Sequence, residues 1–232
     1  SGKQEIQKGC DISEKPHIDQ EPIRQFLNNL EYPLYYLDFE TFSGAIPLFD
    51  GTRPYQQIPF QFSLHVVDVE NATPRHYSFL ANAEGDPRAE FVVSLKRVLD
   101  NSGSIVVYNQ SFEKGVLSAL AEMFPEYNDW VETLNDRIID LLAPFRSFHY
   151  YDARQKGSAS IKNVLPVLTG ISYDHLDISD GMSASLAFLG VISNSASAEE
   201  GIKIRNDLEK YCKLDTEGMI WIVDKLKELT NG

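Results

Sequence analysis

The chain has 232 residues, 43% of them hydrophobic, with 13 Phe, 11 Tyr and 2 Trp, which supplies a full core and excludes a disordered composition. A net charge of −13, from 34 acidic and 21 basic residues, argues against the broad basic surface that nonspecific duplex binding draws on. Cys10 and Cys212 are too far apart, in contexts too different, for a disulfide framework or a zinc spacing, which predicts a reducing, cytoplasmic setting. No apolar run reaches the roughly 18 residues of a membrane span, and no charged-then-apolar leader opens the chain.

Ser1-Gly2 reads as a cloning remnant, residues 1–20 as a polar, irregular lead-in, and 21–232 as one domain taken from a longer protein. Residues 21–30 carry helical spacing (Ile23, Phe26, Leu27, Leu30) with Pro22 in the first turn. The apolar run Pro33 to Phe42 predicts a strand. A long Gly/Pro loop over 43–57 separates it from a second strand, Phe60 to Val67, and a third follows at Arg75 to Leu80. Asp86-Pro87 opens a helix with Phe91, Val92, Leu95, Val98 and Leu99 apolar, and Ile105 to Tyr108 is a short buried strand. Helices then dominate, at 112–124, 129–139, 160–169, 182–190 and 197–230, with a short strand around Ile138 to Leu142 and a Ser/Ala/Asn-rich turn over 191–198 capping the last helix. Strands followed by alternating helix and strand define an α/β class.

Asp38 and Glu40 stand two apart in the first strand, so their carboxylates point to one side; Tyr211 and Asp215 stand four apart in the last helix and also share a face. An unpaired carboxylate in so apolar a strand costs several kcal/mol or more, and a divalent cation is the simplest compensation. A distant Asp delivered by a helix would complete an oxygen cage of the kind that holds Mg²⁺ or Mn²⁺. Glu113 opens the helix after the fourth strand, in Tyr108-Asn109-Gln110-Ser111-Phe112-Glu113, at the sheet edge where open α/β folds place ligands. Its place in a first helical turn is also what the macrodipole alone would favour.

Taken in order, Asp38-Phe39-Glu40-Thr41, Asn109-x-x-Phe112-Glu113 and Tyr211-x-x-x-Asp215 resemble the three motifs of the DEDD, or DnaQ-like, 3′-5′ exonuclease superfamily, in its tyrosine branch. Glu113 stands where that superfamily has Asp. LDFETF, GTRPYQQIPFQFSLH and YNQSFEKGVL look like a bacterial family of little-characterised domains, often carboxyl-terminal to a nuclease-like module. The resemblance implies an RNase H-like fold: a mixed sheet of about five strands, three antiparallel ones first, flanked by helices, with a helical C-terminal half. It implies two Mg²⁺ or Mn²⁺ ions about 3.5 to 4 Å apart. Asp38, Glu40 and Asp215 would be ligands, Glu113 would help hold the second ion, and Tyr211 would orient the attacking water. Asp140 is the substitute ligand, with a terminus cap as its equal alternative. The implied partner is the unpaired 3′ end of DNA or RNA, contacted by Thr41, Asn109 and Lys162, with Phe42, Tyr55 and Phe112 stacking on bases. Locally, Arg137, Arg146, Arg154, Lys156 and Lys162 outweigh Asp136, Asp140 and Asp152 by +2. The second reading is a catalytically impaired domain of the same fold that binds nucleic acid or a partner protein, motivated by Glu113 and the acidic surface. A third is a metal-free acid-pair hydrolase such as a glycosidase.

Overall fold

The run Leu34–Phe42 forms the central strand, and every residue in it except Asp38 is buried. The computed structural model describes residues 2–193 and 196–231. Its elements in chain order are α1 (Gly2–Ser13), β1 (His17–Ile18), α2 (Gln20–Asn28), β2 (Leu34–Phe42), β3 (Ile58–Val67), β4 (Arg75–Leu80), α3 (Arg88–Val98), β5 (Ile105–Val107), α4 (Gln110–Met123), α5 (Asn128–Arg137), β6 (Ile138–Asp140), α6 (Ala143–Arg146), β7 (Tyr150–Tyr151), α7 (Ile161–Thr169), α8 (Gly181–Ile192) and α9 (Ala198–Asn231).

Five strands form a mixed sheet in the order β4-β3-β2-β5-β6. β2, β3 and β4 are antiparallel, with Asp38 opposite Ser63, while β5 runs parallel to β2 and β6 parallel to β5. Gly103, at φ +81°, admits the turn into β5: a Cβ there would lie 2.0 Å from the Pro33 carbonyl oxygen, so only glycine lets the two chains pass this closely.

Alternation along β2 divides the core. Tyr35, Leu37 and Phe39 pack with Phe91, Leu95, Leu117 and Leu134 of α3, α4 and α5. Leu34 and Tyr36 pack with Val164, Phe188, Leu208 and Leu226 of α7, α8 and α9. Because side chains alternate with period two, Asp38 and Glu40 share the second face, the one crossed by α9. α9 starts with a capping box: the Ser197 hydroxyl accepts from Glu200 N at 3.3 Å and the Glu200 carboxylate accepts from Ser197 N at 2.8 Å. Ser197 is thus the capping residue of the stretch expected to form a turn, in which residues 194 and 195 lie outside those described.

The segment expected to be an irregular lead-in is ordered. α1 covers most of it, and β1 pairs with β7 through His17↔Tyr151 and Ile18↔Tyr150. α1 buries Cys10 alone, so its sequence carries almost no apolar periodicity to read. Among the described residues, no helix is long and apolar enough to cross a membrane.

Candidate active site

Three elements distant in sequence meet beside β2. α9 crosses β2 and β3 and is pinned through Thr216, whose hydroxyl lies 2.8 Å from Ser63 Oγ and 2.8 Å from His65 Nδ1. One residue earlier, Asp215 turns toward Asp38 and Glu40, and one helical turn back Tyr211 shares that face. α7 can press against α9 because Gly218 has no side chain; a Cβ there would meet Leu165 at 2.9 Å. That approach delivers Lys162. Asp38, Glu40, Tyr108, Lys162, Tyr211 and Asp215 line one cavity of about 110 Å³, with Ile161 and Met219 as its apolar wall.

Glu113 comes from the first turn of α4. Its helix starts after Asn109, which has φ +94° and is held there by Asp140, whose Oδ1 accepts from Asn109 N at 2.9 Å and from Leu142 N at 3.0 Å. Asp140 therefore pins the turn and lines neither this cavity nor the larger one described below. Glu113 is 1% exposed, and its Oε2 is buried without a hydrogen-bond partner.

These acids crowd one another. Burial, then the charges of Asp215, Glu40 and Glu113, push the Asp38 carboxyl well above the ordinary range. Burial and Asp215 push Glu40 up to about 8, against partial relief from Lys162. Burial raises Glu113 to about 8. Asp215 rises only to about 6, because hydrogen bonds from Tyr173 and Tyr211 and the Lys162 charge oppose its burial. Among the described residues, the group at metal-ligating spacing is Asp38, Glu40 and Cys212; Asp215 shares the cavity of the two acids, while Glu113 lines neither cavity and reaches them through its charge on Asp38.

Two contributors escaped the sequence reading. Tyr173, in the loop between α7 and α8, donates to Asp215 Oδ1 at 2.6 Å; no local pattern marks it. Cys212 Sγ lies 3.6 Å from Asp38 Oδ2, and ligand atoms of Asp38, Glu40 and Cys212 fall within 4.8 Å of one another. Its position three residues before Asp215, on the same helical face, was the available signal. Burial and the neighbouring acids hold this thiol well above its ordinary pKa, so it is a neutral donor to Asp38.

The remaining candidates divide. Lys162 Nζ donates to Tyr211 Oη at 2.9 Å and lies 4.8 Å from that ring's centroid, within the carboxylate cavity. Thr41 donates to Gln57 Oε1 at 2.5 Å, and with Phe112, Asp38 and Glu40 it lines a second, larger cavity of about 630 Å³. Asn109 Oδ1 accepts from Arg146 at 3.4 Å. Phe42 is corrected: at 2% exposure it packs among Phe49, Phe60 and Phe188 and lines a separate cavity of about 340 Å³ rather than either cavity beside the acids, so it is not placed to stack on a base held at them. Tyr55 is 71% exposed on the 43–57 loop. Of the locally basic segment, Arg137 is spent on the carbonyls of Gly103, Asp100 and Ser102, and Arg154 on Asp152.

Fold and site together define a mixed α/β domain with a buried carboxylate centre assembled from both ends of its sequence. The family described as "Domain of unknown function (DUF2779)" matches residues 35–160, just over half of the chain, which therefore belongs to that family. The chain is similar to the "Uncharacterized protein MG366" of Mycoplasma genitalium, 30% identical over 236 aligned positions that cover 94% of this chain and 35% of that protein. It is also similar to the "Uncharacterized protein MG366 homolog" of Mycoplasma pneumoniae, 30% identical over 84% of this chain and 32% of that protein. The "Uncharacterized protein UU173" of Ureaplasma parvum is 26% identical over 84% of this chain and 31% of its own length. The chain spans about a third of the length of these relatives.

Proposed function

We propose that this domain is a metal-dependent 3′-5′ exonuclease with an RNase H-like fold, acting on unpaired DNA or RNA ends in the manner of the tyrosine branch of the DEDD superfamily. The observation that carries the proposal is the convergence of Asp38, Glu40 and Asp215 on one cavity with Tyr211, and of the Glu113 charge on Asp38. A sheet whose first three strands are antiparallel, extended by two parallel strands on the far side of β2, supports the same reading. Buried acids with raised pKa values carry no stabilising role of their own, so their concentration in a cavity favours a functional site.

Asp38, Glu40, Glu113 and Asp215 would hold Mg²⁺ or Mn²⁺, which when bound would neutralise developing phosphate charge and promote water as the nucleophile. The buried, partnerless Glu113 Oε2 is an oxygen that such an ion would satisfy. Tyr211 accepts from Lys162 and supports Asp215, so it orients groups without ionising; its phenol is held far above its ordinary pKa by burial and the surrounding carboxylates. Tyr173 fixes the rotamer of Asp215. Lys162 presents the one positive charge lining the cavity and is placed to meet a phosphate oxygen.

The test is digestion of single strands labelled at the 3′ or the 5′ end, of both DNA and RNA, with Mn²⁺. Stepwise loss from the 3′ end by the wild type, and none by Asp38→Asn, is the expected result. No cleavage by the wild type with any divalent metal would sink it. That outcome would favour an impaired, nucleic-acid-binding or protein-binding domain, the reading to which Glu113, one methylene longer than the superfamily's Asp, lends support.

A further inference from the structure

We infer that Cys212 is a metal ligand, its thiolate completing with Asp38 and Glu40 a mixed oxygen and sulfur site that selects Zn²⁺ over Mg²⁺. The inference rests on the metal-dependent reading above and concerns which ion the two acids hold and what else holds it.

A buried cysteine is ordinarily a small core hydrophobe. Cys212, at 0% exposure, instead has oxygen against its sulfur: Asp38 Oδ2 at 3.6 Å and the Asp38 main-chain carbonyl at 4.0 Å. A carboxylate oxygen and a thiolate on one tetrahedral zinc, at about 2.0 and 2.3 Å from the ion, stand about 3.5 Å apart. The observed 3.6 Å separation already has that bite. Glu40 supplies the third donor, since one ligand atom from each of Asp38, Glu40 and Cys212 falls within 4.8 Å of the others. The two acids come from β2 and the sulfur from α9, so regular elements rather than loops present all three.

A second observation at the same place points to a cation. Among the described residues, three buried side-chain oxygens have no hydrogen-bond partner, and two of them belong to neighbours of these acids. One is Glu113 Oε2, on the acid whose charge acts on both Asp38 and Glu40. The other is Gln61 Oε1. Gln61 stands directly opposite Glu40 on β3 and shares its face, and its Nε2 donates to the carbonyl of Leu208, one helical turn before Cys212, at 3.0 Å. Buried oxygens left unpaired beside three donors call for positive charge.

The donor types decide which ion. Mg²⁺ takes oxygen ligands and gives up its waters reluctantly, whereas thiolate sulfur suits zinc. As the metal–sulfur bond forms, the S–H bond breaks, its proton leaves to solvent and no electron changes hands. Asp38 and Glu40 also wall the cavity of about 630 Å³ beneath α8, lined there by Gly181, Met182 and Ser185, which gives an ion its way in.

The test adds Co²⁺ alone, a coloured substitute for Zn²⁺, to the EDTA-treated chain. A sulfur-to-cobalt charge-transfer band should appear, survive excess Mg²⁺ and vanish when Zn²⁺ displaces the cobalt. The chain has two cysteines, so a band that persists in Cys10→Ser assigns the sulfur to Cys212 even if a Cys212 variant fails to fold. Cys212→Ser and Cys212→Ala should both lack the band. Outer partners of a metal ligand are worth roughly 10- to 100-fold in affinity, so losing the ligand itself should weaken Zn²⁺ by about 100-fold or more. Mn²⁺, satisfied by oxygen, should change by less than about threefold. No band in the wild type at saturating Co²⁺, a band lost in Cys10→Ser, or equal weakening of Zn²⁺ and Mn²⁺ overturns the inference. A cobalt band without cleavage of labelled strands would keep this site and remove the nuclease, whereas cleavage with Mn²⁺ and no band would keep the nuclease and remove Cys212 from the ligand set.

Discussion

Replacing Glu40 by Gln should stabilise the metal-free protein at alkaline pH and do little in acid. Glu40 has an ordinary value of 4.5 and is held at about 8 in the fold. Between those two values the folded state binds the extra proton, so stability falls as pH rises through the window and the loss is complete above pH 8. Each pH unit costs about 1.4 kcal/mol, so by pH 8 the native carboxylate costs the fold at most about 4 kcal/mol relative to its neutral form. Burying the Gln amide with imperfect partners costs about 1 kcal/mol at every pH, and the neighbouring acids absorb part of the relief. What survives both corrections is the difference between conditions: the variant's gain at pH 8 should exceed its gain at pH 5 by about 2 to 3 kcal/mol. Urea unfolding of EDTA-treated protein at the two pH values, followed by far-UV circular dichroism, measures this. An equal effect at both, or a net loss confined to pH 8, would refute the electrostatic account of the cluster.

Divalent metal should reverse the same trend: added Mn²⁺ should raise the melting temperature of the wild type more at pH 8 than at pH 5.5, because ions and protons compete for the acids, and should not raise that of Asp215→Asn. Thermal scans with and without EDTA decide it. On the acid side, His65 is lowered from 6.5 to about 4, first by burial and then by His76, so its contribution is present above pH 6.5 and lost as pH falls through 4, at most about 3 kcal/mol. Between about pH 5 and 6.5 the raised carboxyls of Asp38, Glu40, Glu113 and Asp215 outweigh His65, so metal-free stability should fall as pH rises through that window, and a rise there in urea titrations would contradict it. Thr216→Val strips partners from Ser63 and His65 and should cost about 1 to 3 kcal/mol in chemical denaturation, against no change if that network is idle. Phe188→Ala, removing the ring stacked on Phe60, should cost about 3 to 5 kcal/mol and loosen α8, seen as faster amide exchange over 181–192.

Much of this architecture was legible in the sequence because the signals were local. β2, β3 and β4 announce themselves by unbroken apolar or alternating runs bounded by Gly and Pro, and the observed strands differ from those expected by only a residue or two at their ends. α9 is long, capped by Ser197 and strongly patterned, so both its extent and the shared face of Tyr211 and Asp215 could be read. α1 could not, because one buried side chain leaves no periodicity. Phe42 misled for another reason: alternation puts it on the face of Asp38 and Glu40, but only tertiary packing brings Phe49, Phe60 and Phe188 against it there. Tyr173 and the α8 cavity were invisible because only tertiary packing brings that loop and helix to the acids. Asp140 was not legible: its carboxylate accepts from the backbone of Asn109 and Leu142, contacts that no local pattern marks.

The central claim is that acids from opposite ends of the chain share divalent ions, and anomalous diffraction from crystals soaked in Mn²⁺ tests it most directly. The account predicts anomalous peaks flanked by carboxylate oxygens of Asp38, Glu40 and Asp215, with a second ion within about 4 Å that Glu113 helps to hold. A cavity without anomalous density at saturating Mn²⁺ and pH 8, with Glu113 still partnerless, would contradict it.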